Sequence, residues 1–165
     1  MLSTGAKDTL DSGLRRFANT HRNGPDRERV RAVYRCQPEA RHLCSKLLSI
    51  GGKEIELASV PDCDLPILLA IGERFTGINV RMARQDGSSF RNVSLLWLVQ
   101  ESPLTAIGTG YALSSNHVWY PHAWGIENEA IVETTEVHLD YFGCFLVGER
   151  ATAFAMQHAA SGVTL

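Results

Sequence analysis

No apolar run in this chain approaches the roughly 20 residues needed to cross a bilayer as a helix, so no membrane-spanning segment is expected. Cysteine is scarce and scattered: Cys36, Cys44, Cys63 and Cys144 form no Cys-x-x-Cys pair. That spacing argues against a zinc knuckle and indicates no disulfide framework. Met1-Leu2-Ser3-Thr4-Gly5 has neither the basic nor the apolar region of a signal peptide. A cytoplasmic, reducing setting is therefore the expectation. Internal repeats and low-complexity segments are also lacking, which excludes solenoids and fibrous arrays. Asp62-Cys63-Asp64 lies between Pro61 and Pro66 with no further ligand-type side chain nearby, so it reads as a turn. Neither a cofactor nor a metal is expected from the text.

What is present suits a folded domain. The chain has 165 residues, 44% of them apolar, and a net charge of −2. That small net charge conceals an asymmetry. Residues 1–46 carry ten Lys and Arg against five Asp and Glu, and the remainder carries six against thirteen. A basic arm of this kind suits an acidic protein partner or a solvated helix. Its few aromatics offer little for stacking bases, which argues against nucleic acid.

In chain order, Leu10, Leu14 and Phe17 suggest a short amphipathic helix, and Asn23-Gly24-Pro25 breaks it. Asp26 onward can start a second helix, and Ala40 to Ile50 a third, with Leu43, Leu47 and Leu48 inward and Gly51-Gly52 at its end. Residues 1–50 thus read as a basic helical extension or cap, and residues 51–165 as the core. Ile55 to Val60 and Ile78 to Met82 are short extended candidates. Leu65 to Phe75 reads as an apolar helix closed by Gly77. Val93 to Val99 is apolar almost all round and predicts a buried helix, with Ser88 or Ser89 as its N-cap. Thr109 to Leu113, centred on Tyr111, reads as a strand. Asp140 to Val147 is the last strand, and an alanine-rich helix follows over 149–160. The fold class is α+β: a central buried helix on an antiparallel sheet of about four strands, with N-terminal accessory helices.

The most informative stretch is Val118 to Ile126, which contains Trp119, His122 and Trp124. Ile131-Val132-Glu133-Thr134-Thr135 follows it. Both runs are β-branched and aromatic, so both predict strands, joined by a loop through Glu127-Asn128-Glu129. A four-residue loop from Ile126 to Glu129 would set His122 directly opposite Glu133, with Cβ atoms roughly 5 Å apart. A three-residue loop would put them on opposite faces. The competing account is a satisfied core histidine and an edge glutamate, with Ser89 as a plain helix cap.

A buried helix with a hydroxyl at its start, then a strand with His-x-Trp, then a strand with an acid, resembles the papain-like and transglutaminase-like cysteine hydrolase superfamily. More narrowly, the text resembles a group of phage and bacterial proteins with Cys-x-x-Asn at the helix start. The matching segments are Ser89-Phe90-Arg91-Asn92, Gly110-Tyr111-Ala112, His122-Ala123-Trp124, Glu133-Thr134-Thr135 and Tyr141-Phe142-Gly143, in the same order. They cover residues 85–146, about a third of the chain. One position departs: Ser89 stands where that group carries its nucleophilic cysteine. Three accounts of it remain open: a Cys→Ser substitution made to stop turnover, a natural serine enzyme, or a lineage that lost activity and kept a binding role.

The resemblance implies a thiol-type acyl-transfer hydrolase (peptidase, isopeptidase or deamidase) acting on a protein or peptide. A cysteine at 89 would draw on the helix N-terminus to hold its thiolate. His122 would exchange protons, and Glu133 would orient the imidazole. The backbone N–H of residue 89, with Gln85 or a nearby donor, would form an oxyanion hole, each donor contributing on the order of 3 kcal/mol. Asn92 would brace the nucleophile loop, and Tyr111, Trp119 and Trp124 would line the substrate groove. The alternatives are a non-catalytic protein-binding module, or a delivered effector using the same chemistry.

Overall fold

The computed structural model describes residues 37–56, 65–76, 79–83, 85–99 and 103–160. The helices expected before residue 37, the Asp62-Cys63-Asp64 turn, Gly77, and the basic arm to residue 36 lie outside the described residues. The chain divides into two compact units. One holds the described residues up to Gly72 with Leu113–Pro121, and the other holds Glu73–Ala112 with His122 onward.

In the first unit, helix α1 (Pro38–Ile50) has proline in its first turn, where a missing N–H does no harm. Ala40, Leu43, Cys44 and Leu47 recur on one stripe and are buried, and α1 packs on helix α2 (Leu65–Ile71) through that pattern. Strand β1 (Glu54–Ile55) pairs parallel with the start of strand β5 (Val118–Glu127), Ile55 beside Trp119. Trp119 is buried, and its Nε1–H donates to Gly51 O at 2.9 Å. Glycine is required at Gly52 (φ +80°), because a Cβ there would lie 2.7 Å from the Trp119 indole.

The second unit is built on a mixed sheet. Its other strands are β2 (Glu73–Phe75), β3 (Val80–Met82), β4 (Ala106–Leu113), β6 (Ala130–Glu133) and β7 (Asp140–Leu146). The order is β2-β7-β4-β5-β6-β3. β2–β7 and β5–β6 are antiparallel, whereas β3–β6 is parallel. This corrects the expected sheet of about four antiparallel strands. β2 and β3 have three residues each, too short for alternation to register in the text, and β2 lies inside what reads as one helix.

Helices α3 (Ser89–Val99) and α4 (Gly148–Ala159) cover one sheet face. Val93, Ile107, Ala123, Ala151, Phe154 and Ala155 make the core there. Ala112, Trp124, Ile131 and Tyr141 form the other cluster, with Phe75, Val80 and Ile126 packed against it. The expectation that α3 is buried all round is corrected: Ser89 and Asn92 to Ser94 are buried, while Leu98 and Val99 are exposed.

The β5–β6 turn differs from the expected four-residue loop. It has two residues, Asn128 (φ 50°) and Glu129 (φ 64°), the left-handed pair of a type I′ hairpin turn. Glu127 pairs with Ala130 and Gly125 with Val132. Carried one pair further, this register brings Glu133 opposite Trp124, not His122. The difference is two residues. A slip of two keeps every side chain on its face, so His122 remains a diagonal neighbour of Glu133 within side-chain reach.

Candidate functional site

His122 Nε2 lies 2.9 Å from Glu133 Oε2 and 3.1 Å from Oε1. Glu133 is fully buried and His122 is 2% exposed. A buried carboxylate is costly unless its lone pairs are used, and here they are. Oε1 accepts from Thr134 N–H (2.8 Å), Thr135 N–H (3.0 Å) and Thr135 Oγ1–H (3.1 Å). Oε2 accepts from the Tyr141 hydroxyl at 3.0 Å. The turn after β6 supplies the backbone donors, and β7 supplies the phenol. Burial pushes the Glu133 pKa upward, but the hydrogen bond and charge of His122 and the Thr135 N–H outweigh it. The carboxyl lies below its ordinary range.

A third member was missed in the sequence. His138 Nε2 lies 3.1 Å from His122 Nε2 and 3.6 Å from Glu133 Oε2. The two imidazoles meet edge to face, ring centroids 4.4 Å apart, and Tyr141 packs beside His138 at 5.5 Å. The one signal in the text is the Glu-x4-His spacing, which matches no standard ligand pattern. Burial lowers the His138 pKa to about 4, the charge of His122 adds to that, and Glu133 and Glu136 oppose it.

His138 should therefore impose an acid dependence on the stability of the fold. It is neutral when folded, whereas in the unfolded chain it takes a proton near pH 6.5. Stability is full above that pH and falls as pH drops towards about 4. The total loss is on the order of 3 kcal/mol. Urea midpoints at pH 7.5 and 5.0, with chelator present, read it. His138→Gln should flatten the slope; an unchanged slope would place the acid sensitivity elsewhere.

Ser89 opens α3, but the cap is its neighbour: Ser88 Oγ accepts the Arg91 N–H at 3.3 Å. Ser89 Oγ instead accepts the Ala123 N–H at 3.3 Å, at the peptide that follows His122. Ala123 lies two residues before Gly125, which pairs with Val132 across β5–β6, and the serine takes up its N–H.

Asn92, one turn along α3, donates from Nδ2 to Gln85 O at 3.1 Å, and Gln85 N–H donates to Thr134 O at 2.9 Å. The segment before α3 is thereby tied both to the helix and to the turn that holds Glu133. The Gln85 contacts are made by its main chain. The three expected groove aromatics are core residues instead. Trp119 and Trp124 have no exposed surface and Tyr111 is 4% exposed. Trp124 stacks near His122 (6.3 Å between centroids) and packs on Tyr141 (5.1 Å). Trp119 belongs to the first unit.

The cysteines among the described residues are poor nucleophiles. Cys144 is buried in β7, and burial raises the Cys44 thiol to about 11. Among the described residues, no helix is long and apolar enough to cross a membrane.

No family model matches the chain, and no curated protein or solved structure matches it either.

Proposed function

We propose that this chain has the framework of a thiol-type acyl-transfer hydrolase of the papain-like and transglutaminase-like kind. Position 89 is the nucleophile, His122 the proton-exchanging base and Glu133 its orienting acid. The observation that carries this reading is the buried His122–Glu133 contact, with the Ser89 hydroxyl on the adjoining peptide. Glu133, held by four donors besides His122, is oriented to fix the imidazole and to stabilise its protonated form. Ser88 caps the helix, so the position 89 side chain is not committed to capping and lies instead on the peptide after His122. A protein or peptide carbonyl is the substrate class, with hydrolysis as the simplest outcome. A hydroxyl ionises far less readily than a thiol, so the chain with Ser89 should turn over little or nothing.

Ser89→Cys tests this. A thiolate favoured by the helix start and by His122 should react with iodoacetamide at least about tenfold faster than a free thiol at neutral pH. His122→Ala in the same background should abolish the excess. An introduced thiol no faster than free thiol removes the nucleophile assignment.

Burial favours a second reading. With Ser89 6% exposed, His122 2% and Glu133 not at all, the cluster equally suits the polar core of a non-catalytic protein-binding module. Slow alkylation of the Ser89→Cys variant selects that reading.

A further inference from the structure

We propose that His122 Nε2, His138 Nε2 and Glu133 Oε2 form a binding site for a divalent transition-metal ion of the zinc class. These three atoms face one another in the second unit, at 2.9, 3.1 and 3.6 Å. Zinc holds imidazole nitrogen and carboxylate oxygen at about 2.0–2.2 Å in a tetrahedron, which sets its ligand atoms about 3.3 Å apart. The observed spacings bracket that edge length. One cation bonded to all three would take a lone pair from each of these converging atoms.

The donor set and its surroundings agree with this assignment. Two imidazoles and one carboxylate suit zinc and its neighbours better than calcium or magnesium, which prefer all-oxygen shells. Ligating carboxylates are themselves held by hydrogen bonds. Glu133 meets that condition: three donors occupy Oε1, and Tyr141 bonds Oε2. The trio is nearly closed to solvent, so the ion would be taken up as the chain folds or opens locally.

This site stands independently of the acyl-transfer reading and sets a condition on it. An ion on Nε2 leaves the His122 proton on the other ring nitrogen, which then cannot accept one. Metal-loaded and base-competent His122 are alternative states, and occupancy would switch the nucleophile's partner off.

The test uses the full chain with Ser89 in place. It is stripped with chelator, then dialysed against Zn2+ or Co2+, and bound metal is counted. One equivalent per chain is expected, with a rise in melting temperature on loading. His138→Ala and His138→Gln should each weaken binding at least about tenfold and abolish that rise. The cobalt form should show low-coordination ligand-field bands without a thiolate charge-transfer band. That spectrum decides the matter even if both variants fail to fold. No uptake by the unmodified chain, unchanged affinity in a folded His138 variant, or a thiolate band would each overturn the proposal. His138 lies outside the proposed nucleophile–base–acid set. Fast alkylation of the Ser89→Cys variant can therefore survive loss of metal binding, and the reverse, so the two readings fail separately.

Discussion

Glu133→Ala should destabilise the fold by about 3–5 kcal/mol, the range for removing one partner of a buried charged network. The carboxylate collects five contacts: two backbone N–H groups, the Thr135 hydroxyl, the Tyr141 hydroxyl and His122. Alanine leaves those groups facing a small space with no acceptor, and each buried polar group without a partner costs about 1–3 kcal/mol. The losses share one site and relax together, so they do not add in full. Glu133→Gln is the informative control. Its amide oxygen can keep the threonine donors, while its NH2 can face Tyr141 and a His122 nitrogen acting as acceptor. It should cost about 1–2 kcal/mol, the range for weakening charge-assisted bonds without deleting them. Chemical denaturation at pH 7.5 with chelator measures both. Equal losses for Ala and Gln would show that charge, not hydrogen-bond supply, governs the site.

Gly110→Ala should be at least as damaging, about 3 kcal/mol or more, because no neighbour can yield. A Cβ on Gly110 would sit 2.2 Å from Phe142 O and 2.6 Å from Gly143 Cα, both main-chain atoms of β7. The relation is reciprocal. A Cβ on Gly143 would meet Thr109 O at 2.3 Å and the Trp124 ring at 2.7 Å. β4 and β7 therefore pass with their backbones in contact, and Trp124 fills the space beside them. Either alanine forces the strands apart beneath Trp124 and Tyr141, which pack around His122. Gly148→Ala is the control, since nothing lies within 4 Å of its added Cβ. Its φ of +54° lies in the left-handed region. An alanine there carries only local strain of about 1–2 kcal/mol. If Gly110→Ala melts no lower than Gly148→Ala, close strand approach is not what demands glycine there.

These glycines also explain part of the text. Gly-Tyr-Ala and Tyr-Phe-Gly stand out as motifs, and in the structure Gly110 and Gly143 serve strand approach. Tyr141 binds the Glu133 carboxylate. Motifs of this kind mark the frame of a site as readily as its reactive groups.

Several features were determined by the sequence alone, because they depend on contacts close along the chain. The β-branched and aromatic runs set β5 and β6 as neighbouring strands, and the turn length of the structure then placed His122 and Glu133 on one face. The capping chemistry around Ser88 and Ser89 marked the start of α3, and the 3.6-residue stripe marked α1. Only the tertiary structure decided the rest. Edge strands β2 and β3 are too short to carry a period, and their existence depends on partners far along the chain. The turn type shifted the β5–β6 register by two, since a left-handed Asn-Glu pair is disfavoured locally and is held by the strands around it. His138 joined the site because the chain path after Glu133 brings an imidazole five residues away to within 3.6 Å of the carboxylate. Convergence of that kind is set by packing and chain path, which no local pattern of residues encodes.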